Sequence, residues 1–159
     1  MNPREQGDLG ELSALEWLVS VGAKVAVPLG HSPDWDLIAE FGMRLLRVQV
    51  KTTTCFRSGR WEVTLCTRGG NRSWNGLVKH LDPARCDYLF AHVGDGRRWF
   101  IPSDLIDGGS KVALGGPKYA RFEVEAGKPL VSRRPAAEGA PTILPSTRGD
   151  VRVVKGDAL

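Results

Sequence analysis

Trp35-Asp36-Leu37-Ile38-Ala39-Glu40-Phe41-Gly42-Met43-Arg44-Leu45-Leu46-Arg47-Val48-Gln49-Val50-Lys51 is the stretch that decides the fold. Two arms rich in apolar and β-favouring residues flank a two-residue Gly-X link. That link suits a tight type II′ hairpin, in which glycine takes the first, positive-φ position. The turn sets the register: Phe41 pairs with Arg44, and Asp36 lies directly across from Gln49. Directly opposed side chains share a face, roughly 5 Å apart at Cβ. Lys51, two residues on, shares that face on the diagonal. The opposite face reads Leu37, Ala39, Phe41, Leu46, Val48 and Val50, apolar enough to be core. The hairpin therefore gathers a carboxylate, an amide and an ammonium on one patch backed by hydrocarbon. A polar, solvent-facing strand pair would show the same pattern, so the surrounding chain has to decide between the two.

The 159 residues suit one domain, with 42% apolar and 25% charged residues, ordinary values for a globular chain. A formal charge of +4 and a pI near 9.2 fit an anionic polymer as partner. Three cysteines, Cys55, Cys66 and Cys86, with no CxxC spacing argue against a disulfide framework or a zinc site and for a reducing compartment. His31, His80 and His92 are scattered. No apolar run is long enough for a bilayer span or a signal region, so a soluble, cytoplasmic protein is expected.

Upstream, Asp8 to Val21 reads as a helix, with Asp8 as N-cap, Gly22 as stop, and Leu12, Leu15, Leu18 and Val19 at helical spacing. Glu11 falls inside that stripe. It serves either as a first-turn acid that favours the helix dipole or as a side chain pointing into the cleft of Asp36, and the sequence leaves both open. Ala23 to Pro28 reads as a strand, and Leu29 to Asp34 as a turn.

Downstream, Arg57 to Arg60 is a turn and Trp61 to Cys66 a third sheet strand. Residues 68–76 form a basic loop carrying Trp74. That mixture suits either a phosphate backbone and a stacked base or a plain solvated loop. Asp87 to Val93 and Arg98 to Ile101 form a second hairpin, followed by a short helix start at Pro102, a brief strand at Val112 and a last element from Tyr119 to Val124. Residues 132–159 turn to Pro, Ala, Gly, Ser and Arg, and read as a weakly ordered tail behind a 1–131 domain.

The ordered set Gly7-Asp8-Leu9-Gly10-Glu11, Asp36-Leu37-Ile38 and Leu46-Arg47-Val48-Gln49-Val50-Lys51-Thr52 resembles the PD-(D/E)XK nuclease superfamily. It is similar in particular to the variant in intron-associated homing endonucleases, where glutamine replaces the second acid. Asp87-Tyr88-Leu89-Phe90 and Trp99-Phe100-Ile101-Pro102 extend the likeness, which covers roughly residues 7–124.

The resemblance implies a restriction-endonuclease-like α/β (α+β) core with a mixed central sheet flanked by helices. It also implies Mg²⁺-dependent cleavage of phosphodiester bonds in double-stranded DNA, with Mn²⁺ as a substitute. A phosphodiester resists neutral water, and a hard cation held by oxygens polarises the phosphate and acidifies bound water. By the same resemblance the metal shell is Asp36, the Gln49 amide oxygen, the Val50 carbonyl and Glu11, directly or through water. Lys51 orients or deprotonates the attacking water, or stabilises charge on the transition state. Asp34 is the alternative to Asp36 as ligand.

Arg47, Arg57, Arg60, Arg68, Arg72 and Lys79 are the candidate phosphate contacts. Cutting both strands implies a homo-oligomer, dimer or tetramer. The rival functions are a structure-selective nuclease of the Holliday-junction type and a catalytically silent DNA-binding module.

Overall fold

The computed structural model describes residues 1–30, 34–68, 78–130, 142–145 and 151–154, with Thr67–Arg68, Val78–Lys79 and the last two segments given as backbone alone. One α-helix, α1 (Pro3–Ser20), precedes the strands β1 (Lys24–Ala26), β2 (Leu37–Phe41), β3 (Arg44–Thr53), β4 (Phe56–Arg57), β5 (Arg60–Thr64), β6 (Thr67–Arg68) and β7 (Val78–Lys79). There follow β8 (Tyr88–Val93), β9 (Arg98–Pro102), β10 (Lys111–Leu114), β11 (Glu123–Val124), β12 (Thr142–Pro145) and β13 (Val151–Val154), with 3₁₀ turns at Ser103–Leu105 and Pro117–Phe122.

The central sheet has six strands in the order β1-β2-β3-β8-β9-β11. β3 and β8 run parallel and every other neighbouring pair antiparallel, so the sheet is mixed as expected. The β2–β3 register is the one the Gly-X turn demands, with Leu37 opposite Val48 and Phe41 opposite Arg44. Gly42 has φ +60°, the positive first position of that turn.

Parallel neighbours need a long crossover. Here the described part of the crossover from β3 to β8 carries short strands, and it contributes β4 and β5 to a second, three-stranded sheet ordered β10-β5-β4. The strand expected at Trp61 to Cys66 thus belongs to this second sheet and not to the central one.

The two faces of the central sheet are packed differently. One carries Leu37, Ala39, Val48, Val50 and Phe90 against Ala14, Trp17 and Leu18 of α1. The other carries Leu89, Ala91, Val93, Trp99 and Ile101 against Val63, Leu65, Val112 and Leu114 of the second sheet. Helices were expected on the flanks; among the described residues a sheet covers this second face.

α1 starts earlier than Asp8. Asn2 is the N-cap: its side chain accepts from the Glu5 amide at 2.9 Å while the Glu5 carboxylate accepts from the Asn2 amide at 3.2 Å, and Pro3 takes the first helical position. The end is as read. Gly22 donates to the Val19 carbonyl and Ala23 to that of Leu18, closing a Schellman motif around Gly22 at φ +92°.

The buried stripe is Gly10, Ala14, Trp17 and Leu18, while Leu12 and Val19, expected inside, are 63% and 54% exposed. Small residues win that face because they let the helix sit close. A Cβ on Gly10 would lie 2.2 Å from Thr52 Cγ2 and 3.4 Å from Val50 Cγ1. Gln6 Nε2 adds a bond to Thr52 Oγ1 at 3.4 Å. At the other end of the helix Arg98, almost fully buried, donates to Glu16 at 2.6 Å, to Ser13 and to the Glu125 carbonyl at 2.6 Å.

β1 is shorter than the expected Ala23 to Pro28 strand. Within the stretch read as a weakly ordered tail, Thr142–Pro145 pairs antiparallel with Val151–Val154.

Arg47 fastens β3 to the start of β8. Its Nε and Nη2 meet the two oxygens of Asp87 at 3.0 Å each, and its backbone amide donates to Asp87 Oδ2 at 2.7 Å. The Arg47 guanidinium holds the Asp87 carboxyl below its ordinary value of 3.8. A carboxylate with a depressed folded pKa contributes stability that is complete above the unfolded value and is lost as pH falls through the folded one. Asp87→Asn is therefore expected to cost about 1.5 kcal/mol near neutrality, at the low end for bonds to a charged group because about a third of each side chain meets water. The gap in melting temperature between parent and variant should close between about pH 5 and about pH 2. A gap constant over that range contradicts the assignment.

Candidate active site

The site is built where β2 separates from β3. Asp36 immediately precedes β2, and its amide still donates to the Val48 carbonyl at 2.8 Å. Its carboxylate then stands in for the missing ladder partner: Oδ2 accepts the Val50 amide at 2.7 Å and Gln49 Nε2 at 2.6 Å. The amide end that faces a carboxylate oxygen must be the NH₂. The Gln49 amide oxygen is consequently turned away from that contact.

Residues 36, 49 and 51 do share one face, as the register requires, and it is the face covered by the second sheet. Gln49 is 8% exposed, Lys51 and Asp36 are half-buried, and their neighbours on β8 are Leu89 and Ala91. Burial pushes the Lys51 ammonium below its ordinary 10.5, and the Asp36 carboxylate pulls the other way. Asp36 is therefore within electrostatic reach of Lys51 as well as bonded to Gln49. A second carboxylate at position 49 would face Asp36 at hydrogen-bond distance and repel it; the amide converts that contact into a bond.

Glu11 sits on the other layer. It is an exposed residue of α1, one position after Gly10, where the helix rests on Val50 and Thr52. The expected apolar stripe around it is replaced by Gly10, Ala14, Trp17 and Leu18, so Glu11 lies at the margin of the buried face. The described contacts bring together Asp36, Gln49, the Val50 amide and Lys51. Among the described residues no three His, Cys, Asp or Glu side chains form a metal-holding group.

The donors gathered here are all oxygens: the Asp36 carboxylate just before β2, and the Gln49 side-chain amide and the Val50 main-chain carbonyl on β3. Such a set suits a hard divalent ion such as Mg²⁺ and not zinc or copper.

Asp34, the alternative ligand, pairs instead with Arg85 at 3.4 Å. Arg47 is engaged by Asp87 and by the Ala84 carbonyl at 3.0 Å, which ties it into the scaffold of the sheet. Its partner lies 40 positions downstream, which no local pattern discloses. Arg57 and Arg60 are exposed on β4 and β5. Arg68 and Lys79 lie on the paired backbones of β6 and β7, while Arg72 and Trp74 lie outside the described residues.

Gly10 and Thr52 fall within the motifs that carry the resemblance, but their part in seating α1 on β3 is disclosed only by the structure; a glycine in mid-helix is the available signal.

A family model for PD-(D/E)XK endonucleases matches residues 1–114. No curated protein matches the chain. The solved structure of a bacterial homing endonuclease, I-Ssp6803I, is similar with a TM-score of 0.58 and 23% sequence identity, over 77% of this chain and 87% of that one. At that identity the likeness is one of fold.

Proposed function

The chain belongs to the PD-(D/E)XK endonuclease family, and from that premise we propose that it is a metal-dependent DNA endonuclease of the homing type, cutting both strands of a specific site. The observation that carries the reading is the grip of Asp36 on Gln49 and on the Val50 amide, with Lys51 beside them on one face. Nucleases of this family use divalent metals, and the oxygen donors here suit Mg²⁺, with Mn²⁺ as a substitute.

When bound, the metal polarises the phosphate and acidifies a coordinated water. Asp36, held from β3 by two hydrogen bonds, needs little reorganisation to present its carboxylate. Gln49 offers its amide oxygen and Val50 its carbonyl; Glu11 completes the shell from α1, directly or through water. Lys51, half-buried and drawn by Asp36, orients the attacking water and offsets the charge that builds on the phosphate. Gln49 is buried and Asp36 and Lys51 are half-buried on this face, which strengthens the charge interactions between them.

One site cuts one strand. Double-strand cleavage thus calls for at least two chains, as a dimer or tetramer, and two-fold symmetry would match a near-palindromic target.

The test is incubation with supercoiled plasmid with and without Mg²⁺. Conversion to nicked and linear forms only with the metal supports the reading. Binding without any metal-dependent nicking replaces it with a silent DNA-binding module.

A further inference from the structure

The hairpin formed by β4 and β5 is built as a rigid arm, and its tip carries two arginines directly opposed across the strand pair. Ser58 at φ +49° and Gly59 at φ +73° make a two-residue turn with both central residues in the left-handed region, the tight type I′ geometry. In the resulting register Arg57 is directly opposite Arg60, and Phe56 opposite Trp61. Like charges directly opposed across a strand pair repel. Arg57 also acts on Glu62, whose carboxylate is lowered mainly by Lys111 and in smaller part by Arg57. That carboxylate is already bonded by Lys111 at 2.5 Å. Phe56, Arg57, Ser58, Gly59 and Arg60 are all exposed, Phe56 to 56%.

The base of the arm is fixed, and it is fixed to the catalytic strand. Thr53, two residues after Lys51 and on the same face, donates its hydroxyl to the Glu62 carbonyl at 2.8 Å and accepts the Cys55 amide at 3.0 Å. The Glu62 amide donates to the Cys55 carbonyl at 2.9 Å. Trp61 lies so close over the β8–β9 turn that a Cβ on Gly94 would stand 2.9 Å from its ring, and Phe56 packs on Trp61 at 4.8 Å between ring centroids. Arg57 lies six positions after Lys51, a reach of at most about 20 Å. Along a DNA strand that is about six base steps from the phosphate being cut.

We propose that the β4–β5 hairpin is a duplex-DNA clamp beside the catalytic face, with Arg57 and Arg60 on backbone phosphates flanking the cut. This rests on the nuclease reading above for its polymer and goes beyond it in naming the element and its distance from Lys51. Phosphates would relieve the repulsion between the two guanidiniums, so the pair gives up stability in the free chain and recovers it on DNA.

The test is fluorescence anisotropy of a labelled mixed-sequence duplex, without divalent metal, over a salt series. Each phosphate contact contributes about 0.9 to the slope of log affinity against log salt. The Arg57→Gln/Arg60→Gln double variant is expected to lower that slope by about 1.8. Arg57→Gln alone is expected to lower it by about 0.9 while leaving the melting temperature close to the parent's, because it removes the cross-strand repulsion without setting a second carboxylate beside Glu62. A misfolded variant cannot produce that combination.

An unchanged slope in the double variant overturns the proposal, as does tighter binding of a single strand than of the duplex by the parent. A parent that binds duplex with the expected arginine dependence but never nicks it overturns the nuclease reading and leaves the clamp standing.

Discussion

The Lys51→Ala protein is expected to leave supercoiled plasmid intact in Mg²⁺, with a nicking rate down by roughly a thousandfold, the scale seen when one preorganised charge-stabilising group is removed. The size of the effect follows from where the ammonium sits. It is half-buried between the central sheet and the second sheet, so its charge acts with little screening on whatever lies beside Asp36. Lys51→Ala should fold, because the relief from burying the cation outweighs the loss of the Asp36 attraction. Its melting temperature is therefore expected close to the parent's, and its affinity for duplex likewise. Lys51→Arg keeps the charge on a larger head and should recover only part of the rate. Equal cutting by parent and Lys51→Ala removes Lys51 from the mechanism.

The second large effect comes from a residue that touches no substrate. Gly10→Ala improves intrinsic helix propensity by up to about 1 kcal/mol, yet it places a methyl 2.2 Å from Thr52 Cγ2. Something must move, and overpacking of this kind costs about 1–3 kcal/mol. The movement falls on α1, and Glu11 is the next residue along. Gly10→Ala is thus expected to lower both the melting temperature and the nicking rate, the latter by tenfold or more, since small misplacements of a catalytic group are costly. Thr52→Ser deletes Cγ2 and keeps the hydroxyl that Gln6 meets. In the Gly10→Ala/Thr52→Ser double variant both losses should be substantially restored. Failure of that rescue, with the single variants behaving independently, would show that the close approach of α1 to β3 does not set the site.

What the sequence disclosed and what it hid divide along physical lines. The β2–β3 hairpin was legible because alternation and a Gly-X turn are local: the register that puts Asp36 across from Gln49 needs no knowledge of the rest of the chain. The end of α1 was legible at Gly22 for the same reason. Its start lies outside the apolar periodicity: Asn2-Pro3-Arg4-Glu5 supplies a cap, a leading proline and a reciprocal acid before the first apolar position of the stripe.

The buried helix face was misread because size was taken for burial. Gly10 and Ala14 are inside because they are small enough to let α1 rest on Val50 and Thr52, while Leu12 stands outside. Long-range pairing was illegible altogether. Nothing near Arg47 announces Asp87, and nothing in Trp61 to Thr64 tells which sheet the strand will join, since pairing partners are chosen by topology. The same holds for the candidate site: its β3 part follows from register, whereas the relation of Glu11 to it depends on how two layers meet.

The account stands on a divalent cation held at Asp36. A calorimetric titration of the parent and of Asp36→Asn with Mn²⁺ tests this most directly. The variant keeps an acceptor oxygen for the Gln49 and Val50 donors while removing the charge, so the fold should be spared. One site per chain in the parent, lost or weakened at least tenfold in Asp36→Asn, is the predicted result. Equal Mn²⁺ affinity in the two proteins, or no binding in either, contradicts it.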